Sequence, residues 1–177
     1  MRKIVWTYGL IAGAIVSALM GASVAYCTSN PNFKHSYLVG YATMLLAFTM
    51  IFMGIKTYRD KCNGGVVSFS KAFTVGLYIA LIASTIYVGV WALEYHFLYP
   101  DFMQKYSATV VNDLKAAGTA QATIDAKVKE MASMAEWYKN PVFFVLMTYA
   151  EILPLGLVVS LICALILKRK AKLVAAV

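Results

Sequence analysis

Residues 142–167 read VFFVLMTYAEILPLGLVVSLICALIL, twenty-six positions with one charge, Glu151, and one proline, Pro154. A bilayer core of about 30 Å takes roughly 20 predominantly apolar residues at 1.5 Å each, so this stretch can span it. The charge does not prevent insertion. A central ionised residue costs roughly 2.5–3.5 kcal/mol on the insertion scale, whereas sixteen Leu, Ile, Val and Phe at about −0.4 kcal/mol each contribute roughly −6 kcal/mol. The stretch is predicted to be a transmembrane helix, because an isolated strand would leave its backbone groups unpaired in lipid.

Working outward, three more runs reach the same length: 4–27, 37–55 and about 72–97. The composition agrees, with 61% hydrophobic residues, 14% charged and a mean hydropathy of +0.70 over 177 residues. A soluble domain is roughly 45–50% apolar and about 25% charged. The balance also excludes a disordered chain and a disulfide-rich secreted module. The predicted fold is all-α: an integral membrane four-helix bundle, one membrane domain over 1–177, with an extramembrane helical hairpin over 98–141 between the third and fourth helices.

The hairpin follows from two apolar stripes. Met103, Tyr106, Val110, Leu114 and Ala117 recur at helical spacing, as do Ile124, Val128, Met131, Ala135 and Tyr138. Between them, Ala117-Gly118-Thr119 offers a glycine stop and then a threonine N-cap. Packing of the stripes on each other and on the bundle end is the favoured use, and docking of a periplasmic partner on 98–141 the alternative.

The formal charge of +8 is not a nucleic-acid signal. Segments 1–3, 56–71 and 168–177 hold ten of the sixteen basic residues, in clusters beside apolar runs. By the positive-inside rule both termini are cytoplasmic, and the clusters suit anionic lipid head groups. Arg2-Lys3 and the apolar run up to Ser23-Val24-Ala25 could pass for a signal peptide, but the run is long for such a region, and retention as a first membrane helix is favoured. Cys27, Cys62 and Cys163 fall at different depths, so neither a disulfide framework nor metal-ligand spacing is present. No cofactor motif appears either.

Small residues at every fourth position form ridges along single helix faces. They are Gly9, Gly13, Ser17 and Gly21 in the first helix, Ala72, Gly76, Ala80 and Ser84 in the third, and Gly156, Ser160 and Ala164 in the fourth. Such ridges let helix backbones approach closely in lipid. Packing within the chain is the favoured reading; the alternative sets the first ridge against a second copy or another membrane protein. The second helix lacks a ridge and carries Met44, Phe48, Phe52 and Met53, so it is expected to face lipid. Asn63-Gly64-Gly65 marks a turn, with Ser68 or Ser70 to cap the third helix. Asn30-Pro31 and Asn140-Pro141 echo one another, but two dipeptides do not make a repeat.

The segment Gly54-Ile55-Lys56-Thr57-Tyr58-Arg59-Asp60-Lys61, then Asn63-Gly64-Gly65 and Ser68-Phe69-Ser70-Lys71-Ala72-Phe73 with Gly76, resembles the central signature of an uncharacterised bacterial membrane-protein family, domain of unknown function 4199. Tyr138-Lys139-Asn140-Pro141, Glu151 with Pro154 and Gly156, and Ser160-Leu161-Ile162 through Lys168-Arg169-Lys170 resemble its closing motif. The resemblance covers essentially the whole chain. It implies a four-helix protein of the bacterial inner membrane and implies no activity.

Candidate chemistry is sparse. Neither a metalloprotease helix motif nor a serine elbow is present, and the chain is read as non-enzymatic. Glu94 and His96 make a candidate interfacial site at the end of the third helix, with His35 in the short loop before the second. Glu151 lies nearly opposite Ser160 around the fourth helix, so it is expected inside the bundle or at a subunit contact. Pro154 cannot donate to the carbonyl of Ala150 and is expected to break the helix locally. The favoured reading of Glu151 is a protonated hydrogen bond to Tyr, Trp, Ser or Thr of another helix, with a proton or cation site as the alternative. Two functions are carried forward: a non-catalytic subunit or scaffold, favoured, and a proton- or cation-coupled small-solute transporter centred on Glu151.

Overall fold

The computed structural model describes residues 1–29 and 37–169. Six α-helices make up almost all of it: α1 (Arg2–Ser29), α2 (Tyr37–Thr57), α3 (Phe69–Leu93), α4 (Phe102–Ala116), α5 (Gln121–Tyr138) and α6 (Pro141–Leu167). Wider π-helical turns extend α2 over Tyr58–Cys62 and α3 over Glu94–Leu98. Among the described residues there is no strand, only one isolated antiparallel bridge between Val67 and Arg169. Four spans, Arg2–Tyr26, Val39–Cys62, Phe69–Leu98 and Pro141–Leu167, are long and apolar enough to cross a membrane.

Local chemistry sets the helix ends. Asn140 caps α6, its Oδ1 accepting from the amides of Val142 (3.0 Å) and Phe143 (3.3 Å), and Pro141 occupies the first turn where no amide is needed. This cap accounts for Asn140-Pro141; Asn30-Pro31 lies outside the described residues. Ser68 rather than Ser70 caps α3, accepting from the Lys71 amide at 3.4 Å. The turn before it places Gly64 and Gly65 at φ 61° and 80°, a region open to glycine, and Asn63 Nδ2 donates to the Val66 carbonyl at 2.6 Å.

The small-residue ridges face one another within the chain. A Cβ added to Gly76 of α3 would lie 3.0 Å from Ser160 Cβ, and one added to Gly156 of α6 would lie 2.9 Å from Ala80 Cβ, so α3 and α6 run antiparallel with their ridges in contact. The ridge of α1 also packs inward. Gly9 meets Ile82, Gly13 meets Ile86 and Gly21 meets Glu94, a constant sequence separation of 73, so α1 and α3 are parallel and in register. That face of α1 is covered by α3 within the chain.

The face by which α2 was expected to meet lipid is corrected in its residues. Met44 and Phe48 are buried, with Phe48 fully inaccessible beside Gly156, and Phe52 is half-buried; of the four, Met53 alone is exposed. α2 touches α1, α3 and α6, and its large side chains fill the space that the small residues leave. The outward apolar surface of α2 comes from another face, where Val39, Tyr41, Leu45, Leu46 and Met53 are exposed, and α6 adds Leu157, Val158, Leu161, Ile162, Leu165 and Ile166.

The hairpin turns at Gly118, φ 69°, where the Thr119 amide donates back to the Leu114 carbonyl at 3.1 Å. Thr119 is not the cap of α5: Ala120 holds that position and its side chain bonds nothing. Ile124, Met131 and Met103 are buried, but Val128 is 45% exposed, so the stripe on α5 is narrower than its spacing suggests. The hairpin sits on the ends of α3 and α6 through aromatic rings. Trp91 meets Phe102 edge-on (4.9 Å), Tyr138 meets Phe144 edge-on (5.2 Å), and Tyr95 lies 5.1 Å from Phe144.

Candidate functional site

The ridge of α6 turns towards α3, and the opposite face therefore turns elsewhere. Glu151 is nine positions from Ser160, about half a revolution at 100° per residue. It points into a cavity of about 550 Å³ that reaches from the hairpin into the space among α1, α2, α3 and α6. At 1.5 Å per residue Glu151 lies about 15 Å along α6 from Pro141, towards the middle of a helix long and apolar enough to cross a membrane. Despite that depth it is exposed to the cavity.

The expected hydrogen bond is not made. Among the described residues no group hydrogen-bonds the Glu151 carboxylate, and the hydroxyls of α6 itself are engaged elsewhere. Thr148 Oγ1 donates to the Phe144 carbonyl (2.9 Å), Ser160 Oγ to the Gly156 carbonyl (2.7 Å), and Tyr149 Oη to Thr85 Oγ1 (2.9 Å). Nor does Pro154 break the helix: α6 continues from Pro141 to Leu167 with the proline inside it. The carboxylate lies within electrostatic reach of Tyr87 and Tyr138. Burial first, and then the nearby Glu151 carboxylate, hold the Tyr138 phenol above its usual range.

The rest of the wall was not foreseen from the sequence. Six of the nine methionines line it: Met20, Met44, Met103, Met131, Met134 and Met147. Aromatic side chains from four helices join them, among them Tyr41 of α2, Tyr87 and Trp91 of α3, Tyr106 of α4 and Tyr138 of α5. In sequence these residues read as separate apolar stripes; six helices bring them together. The high methionine count was the available signal. Lys127 and Glu130 line the cavity from α5 and pair with each other, Nζ to Oε1, at 2.7 Å.

Glu94 and His96 have different surroundings. Glu94 Oε1 lies against Gly21 of α1, and Glu94 Oε2 is buried without a hydrogen-bond partner among the described residues. His96 is exposed, 5.7 Å from the Phe97 ring. His35 lies outside the described residues. Among the described residues no three of His, Cys, Asp and Glu come together as a metal-ligand set.

Comparison with curated proteins and with solved structures finds no match to this chain. One family model does match, that of the "Protein of unknown function (DUF4199)", over residues 7–169. The match spans the four apolar helices, the hairpin and Glu151, and the chain belongs to this family.

Proposed function

We propose that the chain is a non-catalytic multi-pass protein of the bacterial inner membrane, a four-helix bundle with both termini cytoplasmic, that binds a small solute in the cavity at Glu151. One observation carries this reading: an ionisable side chain in mid-span faces a cavity of about 550 Å³ and has no partner among the described residues. Ionisable groups at this depth are expensive and mark ion or substrate pathways. The volume suits a small-molecule site with a few polar groups in an apolar wall. Proton- or cation-coupled movement of the solute through Glu151 is the mechanism this supports.

Solvent access to position 151 is the test. In a chain with Cys27, Cys62 and Cys163 replaced by Ser, Glu151→Cys should react with a small water-soluble methanethiosulfonate, whereas Val158→Cys, on the exposed apolar face of α6, should not. Equal inertness of the two thiols would overturn the reading.

A scaffold role for the hairpin is the second reading. A groove of about 530 Å³ between α4 and α5, lined by Tyr106, Val110 and Leu114, favours it. Copurification of a partner that Leu114→Glu abolishes would support it.

A further inference from the structure

We propose that the solute of the Glu151 cavity is an organic cation with a bulky, apolar body. The inference rests on the reading of the cavity as a solute site and names the chemistry of its ligand.

Charge decides the sign. The wall carries three ionisable groups besides its tyrosines: Glu151, Lys127 and Glu130. Lys127 is paired with Glu130 at 2.7 Å, so the lysine is already neutralised and Glu151 remains as the uncompensated charge. An anion would meet a carboxylate with no free cation to hold it; a cation would find its counter-ion.

Size and wall chemistry decide the rest. A bare Mg²⁺ or Ca²⁺ needs about six or more oxygen ligands, and one carboxylate amid thioethers and rings does not supply them. A volume of about 550 Å³ fits an organic molecule. Trp91 and Tyr87 line the cavity, and aromatic rings attract a delocalised or quaternary cation that reaches their faces. Methionine side chains adapt to irregular apolar shapes, so the wall suits a class of ligands.

Tetraphenylphosphonium binding to the full chain in lipid nanodiscs, with empty nanodiscs as background, tests the inference. The cation should bind saturably, while neutral triphenylphosphine oxide and anionic tetraphenylborate should show no saturable component. Glu151→Gln should weaken the cation at least about tenfold, because it removes the counter-charge at nearly constant shape, and Glu151→Asp should retain binding to within about fivefold. Trp91→Leu should weaken the cation and leave Glu151→Cys accessibility unchanged. Equal binding of the neutral oxide, or indifference to Glu151→Gln, would overturn the inference. Should the Gln variant fail to fold, selectivity among the three probes on the unaltered chain decides the matter alone. An accessible Glu151→Cys thiol without cation binding would sink this inference and spare the solute site; an inert thiol would sink the site itself.

Discussion

A Cβ added to Gly76 of α3 would come within 3.0 Å of both Cβ and Oγ of Ser160 on α6. Ser160 is fully buried and its hydroxyl is tied to the Gly156 carbonyl, so it has no room to step aside. Gly76→Val should therefore cost about 1–3 kcal/mol by overpacking. Gly89, with nothing within 4 Å of an added Cβ, is the control: Gly89→Ala should be neutral or stabilising by up to about 1 kcal/mol through helix propensity. Reversible unfolding in mixed micelles, followed by circular dichroism, measures both. Equal costs would mean that α3 and α6 do not touch at this level.

Tyr149 Oη donates to Thr85 Oγ1 at 2.9 Å, joining α6 to α3 by a side-chain bond. A double-mutant cycle of Tyr149→Phe and Thr85→Val should give a coupling of about 0.6 kcal/mol, with about 1.7 kcal/mol as the upper end for such bonds between membrane helices. Strict additivity of the two variants would rule the bond out.

The hairpin distinguishes two positions four residues apart. Ile124→Asp would bury a charge where 4% of the side chain is accessible, and proteolysis near Gly118 should rise several-fold. Val128→Asp, at a 45% exposed site, should leave the digestion pattern unchanged. The reverse pattern would show that α5 is rotated from the orientation described.

Orientation is checked at Cys62, an exposed thiol at the end of the π turn after α2. With Cys27 and Cys163 replaced by Ser, a membrane-impermeant maleimide should label it only after cells are opened. Labelling in intact cells would place the hairpin, rather than the termini, in the cytoplasm.

These tests fall where reading from sequence was strong and where it was weak. Glu151 stood out as the one charge between residues 142 and 167, and every fourth small residue of α3 and α6 identified the faces that meet, because both signals are local. The inward position of Met44 and Phe48 was not legible for a physical reason. In lipid both the interior and the exterior of a helix are apolar, so hydropathy carries no information about which side faces in. The cavity was hidden for another: its wall draws on six helices, and the convergence of Met20, Met103 and Met147 exists only after folding. Val128 was misplaced because a period of three and four fits a broad stripe, whereas the hairpin and the bundle end cover only a narrow one.

The fit of Gly9, Gly13 and Gly21 against Ile82, Ile86 and Glu94 limits how the molecule can move. The notches on α1 repeat every four residues, about 6 Å at 1.5 Å per residue. A small axial slide of α1 along α3 would drive a bulky side chain onto the rim between two notches. Only a whole step, setting Gly9 on Ile86 and Gly13 on Val90, would bring them back into register. Any movement of α1 against α3 that widens or narrows the space beside Glu151 is therefore confined to tilting or rotation about this seam, or to a discrete ratchet of one full notch.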